Sequence, residues 1–200
     1  MNYQEFLKSK RITHKHTGFD AQVNSEHLFP FQNHVVNKGL LVGKYGIFSG
    51  TGTGKSRMQI TWSDEVAKHT GKPVLILAPL AVSGQTIEEG NKIGIKVSRL
   101  TEKPTEGIYI INYDQLDNIV EYIPLFGGIA LDEASILKNP EGAYRNMLIT
   151  EFTHTQFKSV WTATPSPNDP MEIGSYSEFL DVMPYNEMLA MYFVHDAGET

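Results

Sequence analysis

Apolar residues recur along this chain with two periods, and the alternation between them lays out its elements. Pro30 opens a helix, because its fixed φ suits a first helical turn, and that helix continues through Val35, Val36 and Leu40. Tyr45–Phe48 is a short apolar run ahead of a glycine cluster and reads as a strand. Beyond the cluster Met58, Trp62 and Val66 recur every fourth residue, a helical stripe that Gly71 and Pro73 bring to an end. Val74–Leu77 is continuously apolar, the pattern of a strand buried on both faces of a parallel sheet. The series goes on with a helix near 83–91, a strand at 96–100, a strand at Gly107–Asn112 and a helix around Gln115–Val120. A strand at Gly128–Leu131, a helix over 141–153, a strand at Ser159–Thr162 and a last helix at about 172–182 complete it. Upstream, residues 3–10 read as a short amphipathic helix and 12–27 as polar loop. Strands alternating with helices predict an α/β fold with a mostly parallel sheet, in which ligands bind beyond the carboxyl ends of the strands.

Composition narrows the picture. The 200 residues suit one domain, and 40% hydrophobic content is enough for a proper core. The longest apolar stretch, Pro73–Val82, is too short to span a bilayer, and the first residues lack the apolar core of a secretory signal, so a soluble cytoplasmic protein with no membrane partner is expected. The absence of cysteine excludes disulfides, thiolate catalysis and cysteine-type zinc sites. The net charge of −6 argues against passive adhesion to phosphates. Acidic residues dominate after Glu151, where only Lys158 opposes them, and basic ones gather at Lys8, Lys10, Arg11 and Lys15.

The chemistry begins at Ser49-Gly50-Thr51-Gly52-Thr53-Gly54-Lys55-Ser56, between a predicted strand and a predicted helix. Glycines let successive amides turn inward towards phosphate oxygens, and a helix N-terminus adds partial positive charge at the same place. Lys55 is placed to reach β- and γ-phosphates, and the Ser56 hydroxyl to ligate Mg²⁺. A second signal, Ile129-Ala130-Leu131-Asp132-Glu133-Ala134-Ser135, puts two carboxylates at the end of a buried strand. Alone the pair reads equally as a helix cap. Downstream of a phosphate loop, Asp132 is expected to hold Mg²⁺ through water and Glu133 to orient and deprotonate an attacking water.

With both motifs placed, residues 28–182 resemble superfamily 2 helicases, most of all the Swi/Snf-type translocases and their phage-encoded relatives. Leu28-Phe29-Pro30-Phe31-Gln32 resembles the segment whose glutamine reads the adenine edge, and Ser49–Ser56 resembles motif I, with a small residue where the strict pattern has glycine. Leu77–Val82 is similar to motif Ia, Ile111-Asn112-Tyr113 to the "TY" element with Asn for Thr, and Asp132–Ser135 to motif II, written DEAS where the family often has DEAH. Lys138-Asn139-Pro140 matches the "KNP" that often follows, and Thr162-Ala163-Thr164-Pro165 is similar to motif III, with Pro167-Asn168 and Phe179-Leu180 after it.

The resemblance implies a three-layer RecA-like P-loop lobe that binds ATP and Mg²⁺ and touches one strand of nucleic acid, with double-stranded DNA the favoured partner and a bacterial or phage-infected cell the favoured setting. It implies that Gln32 selects adenine, that Gly50, Thr51, Gly52, Thr53, Gly54, Lys55 and Ser56 hold the phosphates, and that Lys55, Asp132 and Glu133 carry the catalysis. Ser135, Thr162, Ala163 and Thr164 are its coupling residues, and Pro79, Leu80, Asn112 and Tyr113 its candidate strand contacts. The family's motors use a second lobe that supplies arginine fingers. No such lobe is evident here, and Arg57 and Arg145 match no finger motif, so the chain reads as an N-terminal extension (1–27), the ATP-binding lobe (28–185) and the start of a connection (186–200), with weak activity alone. Two other readings compete: an ATP-gated, non-catalytic DNA clamp or scaffold, and another P-loop enzyme such as a nucleotide kinase, which has no need of the TATP segment. His14 and His16 lack an evident third metal ligand and read as loop, and Met188–Val194 reads as core or interlobe packing.

Overall fold

In a computed structural model of the protein, residues 16–134, 137, 142–166 and 169–193 are described. The expected helix at 3–10, His14, Ser135, the Lys138-Asn139-Pro140 segment, Pro167-Asn168 and Val194 lie outside the described residues.

Six strands form one wholly parallel sheet: β1 (Lys44–Phe48), β2 (Val74–Ala78), β3 (Val97–Arg99), β4 (Ile108–Asn112), β5 (Gly128–Asp132) and β6 (Phe157–Thr162), in the order β1-β6-β5-β2-β4-β3. The strict two-residue alternation of a strand divides the core. Val74, Ile76, Ala78 and Ala130 face one way, under α1 (Pro30–Val42) and α2 (Lys55–Thr70), with Ile87 of α3 (Leu80–Lys92) packed against the same cluster. Leu75, Leu77, Ile129 and Leu131 face the other way, onto the 113–125 stretch, α4 (Ala143–Glu151) and α5 (Ile173–Phe179). Helices cover both faces of the sheet, which gives the expected three layers.

Two elements differ from the periodicity reading. Residues 113–125 form 3-10 turns instead of an α-helix. Asp114, Asp117, Asn118, Ile119 and Val120 are poor α-formers, Pro124 interrupts any α ladder, and the buried Leu116 and Ile119 repeat every third residue, as a 3-10 turn demands. A further helix, α6 (Tyr185–Tyr192), follows Pro184, and none of its residues is buried, so Met188–Tyr192 is not core in this structure.

Residues 17–28 carry no helix or strand but are strapped to α1. Asn37 takes the Val23 amide through its oxygen (2.7 Å) and gives its nitrogen to the Val23 carbonyl (2.8 Å), while Asn33 does the same for Ser25 (3.0 and 3.1 Å). Each side chain thereby satisfies both polar groups of one residue, as a neighbouring strand would.

Candidate nucleotide site

Sheet register places the site. Phe48 at the end of β1 lies beside Thr162 at the end of β6, and Asp132 at the end of β5 lies beside Trp161. The phosphate loop starts one residue past Phe48, where the Ser49 amide donates to the Thr162 carbonyl (3.2 Å). The glycine loop, the acidic pair and the TATP segment therefore leave the same edge of the sheet from adjoining strands. Thr51, Gly52, Gly54, Lys55, Ser56, Asp132 and Glu133 line one cleft of about 520 Å³ together with Arg57, Val82, Gln85 and Glu89.

Local physics shapes the loop. Gly52 and Gly54 hold φ of 77° and 80°, in the left-handed region that side chains resist, and Gly54 is the residue from which α2 starts. The Thr53 hydroxyl donates to the Gly50 carbonyl (2.9 Å) and lies 3.0 Å from the Ser49 hydroxyl, and Lys55 Nζ donates to the Ser49 (2.9 Å) and Gly50 (2.7 Å) carbonyls. The ammonium is thus already drawn to the centre of the loop.

Gln32 is tied to the same loop. It is 4% exposed; its oxygen accepts from the Phe29 amide (2.8 Å), and its nitrogen donates to the Thr53 carbonyl (2.8 Å). A Cβ added at Gly54 would stand 2.3 Å from that nitrogen, so a side chain at position 54 would expel the clamp. Phe29 and Phe31 flank it, both exposed, with near-parallel rings 6.3 Å apart.

Asp132 is 7% exposed, and its carboxyl is pushed up from its ordinary 3.8 to about 6. Burial is the main cause and the neighbouring Glu133 the second, while the Glu133 amide and Lys55 pull the other way. Glu133 has φ of 47°, uncommon for a residue with a side chain. Its Oε1 accepts from the hydroxyls of Thr162 (3.3 Å) and Thr164 (3.4 Å), and Thr162 in turn accepts from the Thr164 amide (3.1 Å). Ala163 is the half-buried link between the two threonines.

The four candidate strand contacts lie at the same sheet edge. Pro79 precedes α3, and Leu80 is 69% exposed. Asn112 and Tyr113 direct their polar groups inward: Asn112 Oδ1 accepts from the Ser83 hydroxyl (2.6 Å), and the Tyr113 hydroxyl donates to the Asp132 carbonyl (2.8 Å). A line of contacts, two hydrogen bonds joined through the Asn112–Tyr113 backbone, therefore runs from α3 through the end of β4 to the main chain of Asp132.

Sequence reasoning passed over part of the cleft wall. Arg57 donates to Glu89 (3.0 Å), which also binds Lys92 (2.6 Å), so the helix after the phosphate loop is pinned to α3. Lys92 and Arg57 together hold the Glu89 carboxyl below its ordinary range. The signal for Arg57 was its place directly after Ser56; Glu89 and Gln85 carried none. Arg145 is buried away from the cleft, bonded to Ser175 (3.0 Å) and to Glu178.

The residues fit a magnesium nucleotide on two observations. A Cβ at Gly50 or Gly52 would meet nothing within 4 Å, so phosphate oxygens can approach that backbone closely. Asp132 is a buried carboxylate whose ionised form is disfavoured by burial, an environment that a cation reverses. Among the described residues no group of three or more His, Cys, Asp or Glu could form a metal cage by itself. Mg²⁺ in nucleotide sites asks for less: one or two protein oxygens, waters and the phosphates. No helix among the described residues is long and apolar enough to cross a membrane.

Sheet order, layers and loop define a RecA-like α/β fold. Solved structures with this fold include the Swi2/Snf2 ATPase core of Sulfolobus solfataricus in complex with double-stranded DNA, with a TM-score of 0.70 and 21% identity over 86% of this chain and 39% of that one. The same core domain alone gives 0.67 and 20% over 91% of this chain and 40% of that one, and the UvsW helicase of bacteriophage T4 gives 0.61 and 16% over 91% and 65%. The chain thus spans 39–65% of the length of these structures, and at such identities the likeness is one of fold. No protein-family model and no curated protein sequence matches it.

Proposed function

We propose that the chain is the ATP-binding lobe of a nucleic-acid-dependent ATPase motor that acts on duplex DNA. The observation that carries this reading is the meeting of the phosphate loop and the acidic pair in one cleft. The amides from Gly50 to Gly54 and the start of α2 receive the β- and γ-phosphates, and Lys55 exchanges its two carbonyl partners for phosphate oxygens. Ser56, and Asp132 through water, would hold Mg²⁺, which would supply positive charge to the terminal phosphoryl group. Glu133 orients the attacking water and takes its proton. Gln32 keeps the loop in place through Thr53, and its remaining amide positions suit the donor and acceptor of the adenine edge.

Coupling to DNA runs through the threonines and the second hydrogen-bond line. Thr162 and Thr164 touch Glu133, and Tyr113, Asn112 and Ser83 link the acidic pair to the segment that begins at Pro79 and Leu80. The Sulfolobus core of like fold was solved on double-stranded DNA, which favours a duplex as the track. A second lobe, with its arginine finger, is expected to complete fast turnover.

The test is a phosphate-release assay with Mg²⁺ and ATP, with and without duplex DNA, on this chain and on the chain joined to a second lobe. Slow hydrolysis alone and DNA-stimulated hydrolysis with the second lobe is the expected pattern. Turnover that ignores DNA in both forms would refute the motor reading.

A further inference from the structure

Tyr176 on α5 is 1% exposed, and its hydroxyl has no hydrogen-bond partner among the described residues. A buried phenol ordinarily finds one, so an orphaned hydroxyl calls for a physical reason. The ring packs against Phe48, with centroids 5.6 Å apart. Phe48 is the register partner of Thr162, whose hydroxyl holds Glu133. The ring therefore lies near the carboxyl edge of the sheet, at the ends of β1 and β6. Burial, and after it the carboxylates of Glu172 and Glu133, hold it above the ordinary phenol range, so it is a protonated donor at any working pH. The half-buried tyrosine there, Tyr113, is committed to the Asp132 carbonyl.

Three features of Glu133 complement that spare donor. Its bonds to Thr162 and Thr164 are long, 3.3 and 3.4 Å. Its backbone stands in the left-handed region, a form of stored strain common where a segment has two arrangements. Both threonines belong to the segment that has to move if hydrolysis is coupled to a track. We propose that Tyr176 is a positioning residue for Glu133: its hydroxyl donates to the Glu133 carboxylate once that side chain leaves Thr162 and Thr164. This rests on the reading of Glu133 as the group that activates water.

The space-filling alternative makes the opposite forecast. Deleting an oxygen that only fills space leaves turnover unchanged and relieves a buried unsatisfied group. The experiment is Tyr176→Phe in the same chain, with three readouts: thermal midpoint, Kd for a non-hydrolysable ATP analogue with Mg²⁺, and the single-turnover rate of ATP hydrolysis. The expected result is an unchanged or higher midpoint, an unchanged Kd, and a rate lower by about tenfold or more. A rate equal to wild type overturns the proposal. So does a lower midpoint with a matching loss of nucleotide binding, since the hydroxyl would then have a structural partner. A wild-type chain that binds the analogue but never hydrolyses ATP overturns the reading of Glu133, and this inference with it.

Discussion

Asp132 offers a sharp test because its charge is held at a cost. Its carboxyl is 7% exposed and raised from 3.8 to about 6. A carboxyl whose native pKa lies above its unfolded one binds more protons when folded. Its stabilising contribution is therefore present at low pH and is lost as pH rises through the native pKa. The difference of about two units corresponds to roughly 3 kcal/mol of destabilisation at pH 8, fully developed above about pH 6. The same relation returns about 1 kcal/mol of it between pH 8 and pH 5. Asp132→Asn keeps the shape and removes the titration. In EDTA, urea unfolding of wild type and variant at pH 8 should favour the variant, by an amount on the order of 1–3 kcal/mol. That advantage should shrink by about 1 kcal/mol at pH 5, and this double difference cancels whatever the Asn amide itself gains or loses. A variant less stable than wild type at pH 8, or an advantage independent of pH, would refute the reasoning. A site that carries such a charge at neutral pH fits a group retained for a cation, not for the fold.

Two further perturbations probe the supports of the site. Gln32→Ala leaves the Thr53 carbonyl and the Phe29 amide without their 2.8 Å partner, so it should lower stability by about 1–3 kcal/mol and weaken MgATP binding at least severalfold; denaturant melts and fluorescence titration check both, and an unchanged Kd would deny Gln32 its hold on the loop. Lys158 is fully buried at the start of β6, where it donates to the Phe179 carbonyl (3.1 Å) and to Asp181 (2.9 Å), while Lys44 also binds Asp181. Asp181 keeps Lys44, so Lys158→Ala should cost about 2–4 kcal/mol in urea melts, from the cavity and the Phe179 carbonyl left without its donor, and a loss below about 1 kcal/mol would mean that this network does not anchor α5 to the sheet.

The parts of the fold legible in advance are those set by local rules. Val74–Ala78 is apolar at every position and is buried at every position, and the glycine cluster between strand and helix could only turn there. Asp132 and Glu133 were legible as a pair because a buried strand ends in them. What stayed hidden depends on contacts distant in sequence. Gln32 is named through the family resemblance, but its hold on the loop depends on Thr53, 21 residues away. Lys158 looked like the lone basic residue of an acidic tail, and burial beside Asp181 is invisible without the packing of α5. Tyr176 carries no motif at all; only its orphaned hydroxyl marks it. The helix at Tyr185–Tyr192 was missed because none of its residues is buried, so no stripe betrays it, although Pro184 marks its start. The inward bonds of Asn112 and Tyr113 likewise follow from β4 lying beside β2, a neighbourhood set by sheet order and not by sequence order.

The most direct measurement is equilibrium binding and hydrolysis of MgATP by Lys55→Ala and Glu133→Gln, side by side with wild type. If the loop amides and the carboxylates serve one triphosphate, Lys55→Ala loses nucleotide binding, whereas Glu133→Gln binds about as wild type does and hydrolyses about 10²–10⁴-fold more slowly. Equal binding by both variants, or undiminished hydrolysis by Glu133→Gln, would contradict it.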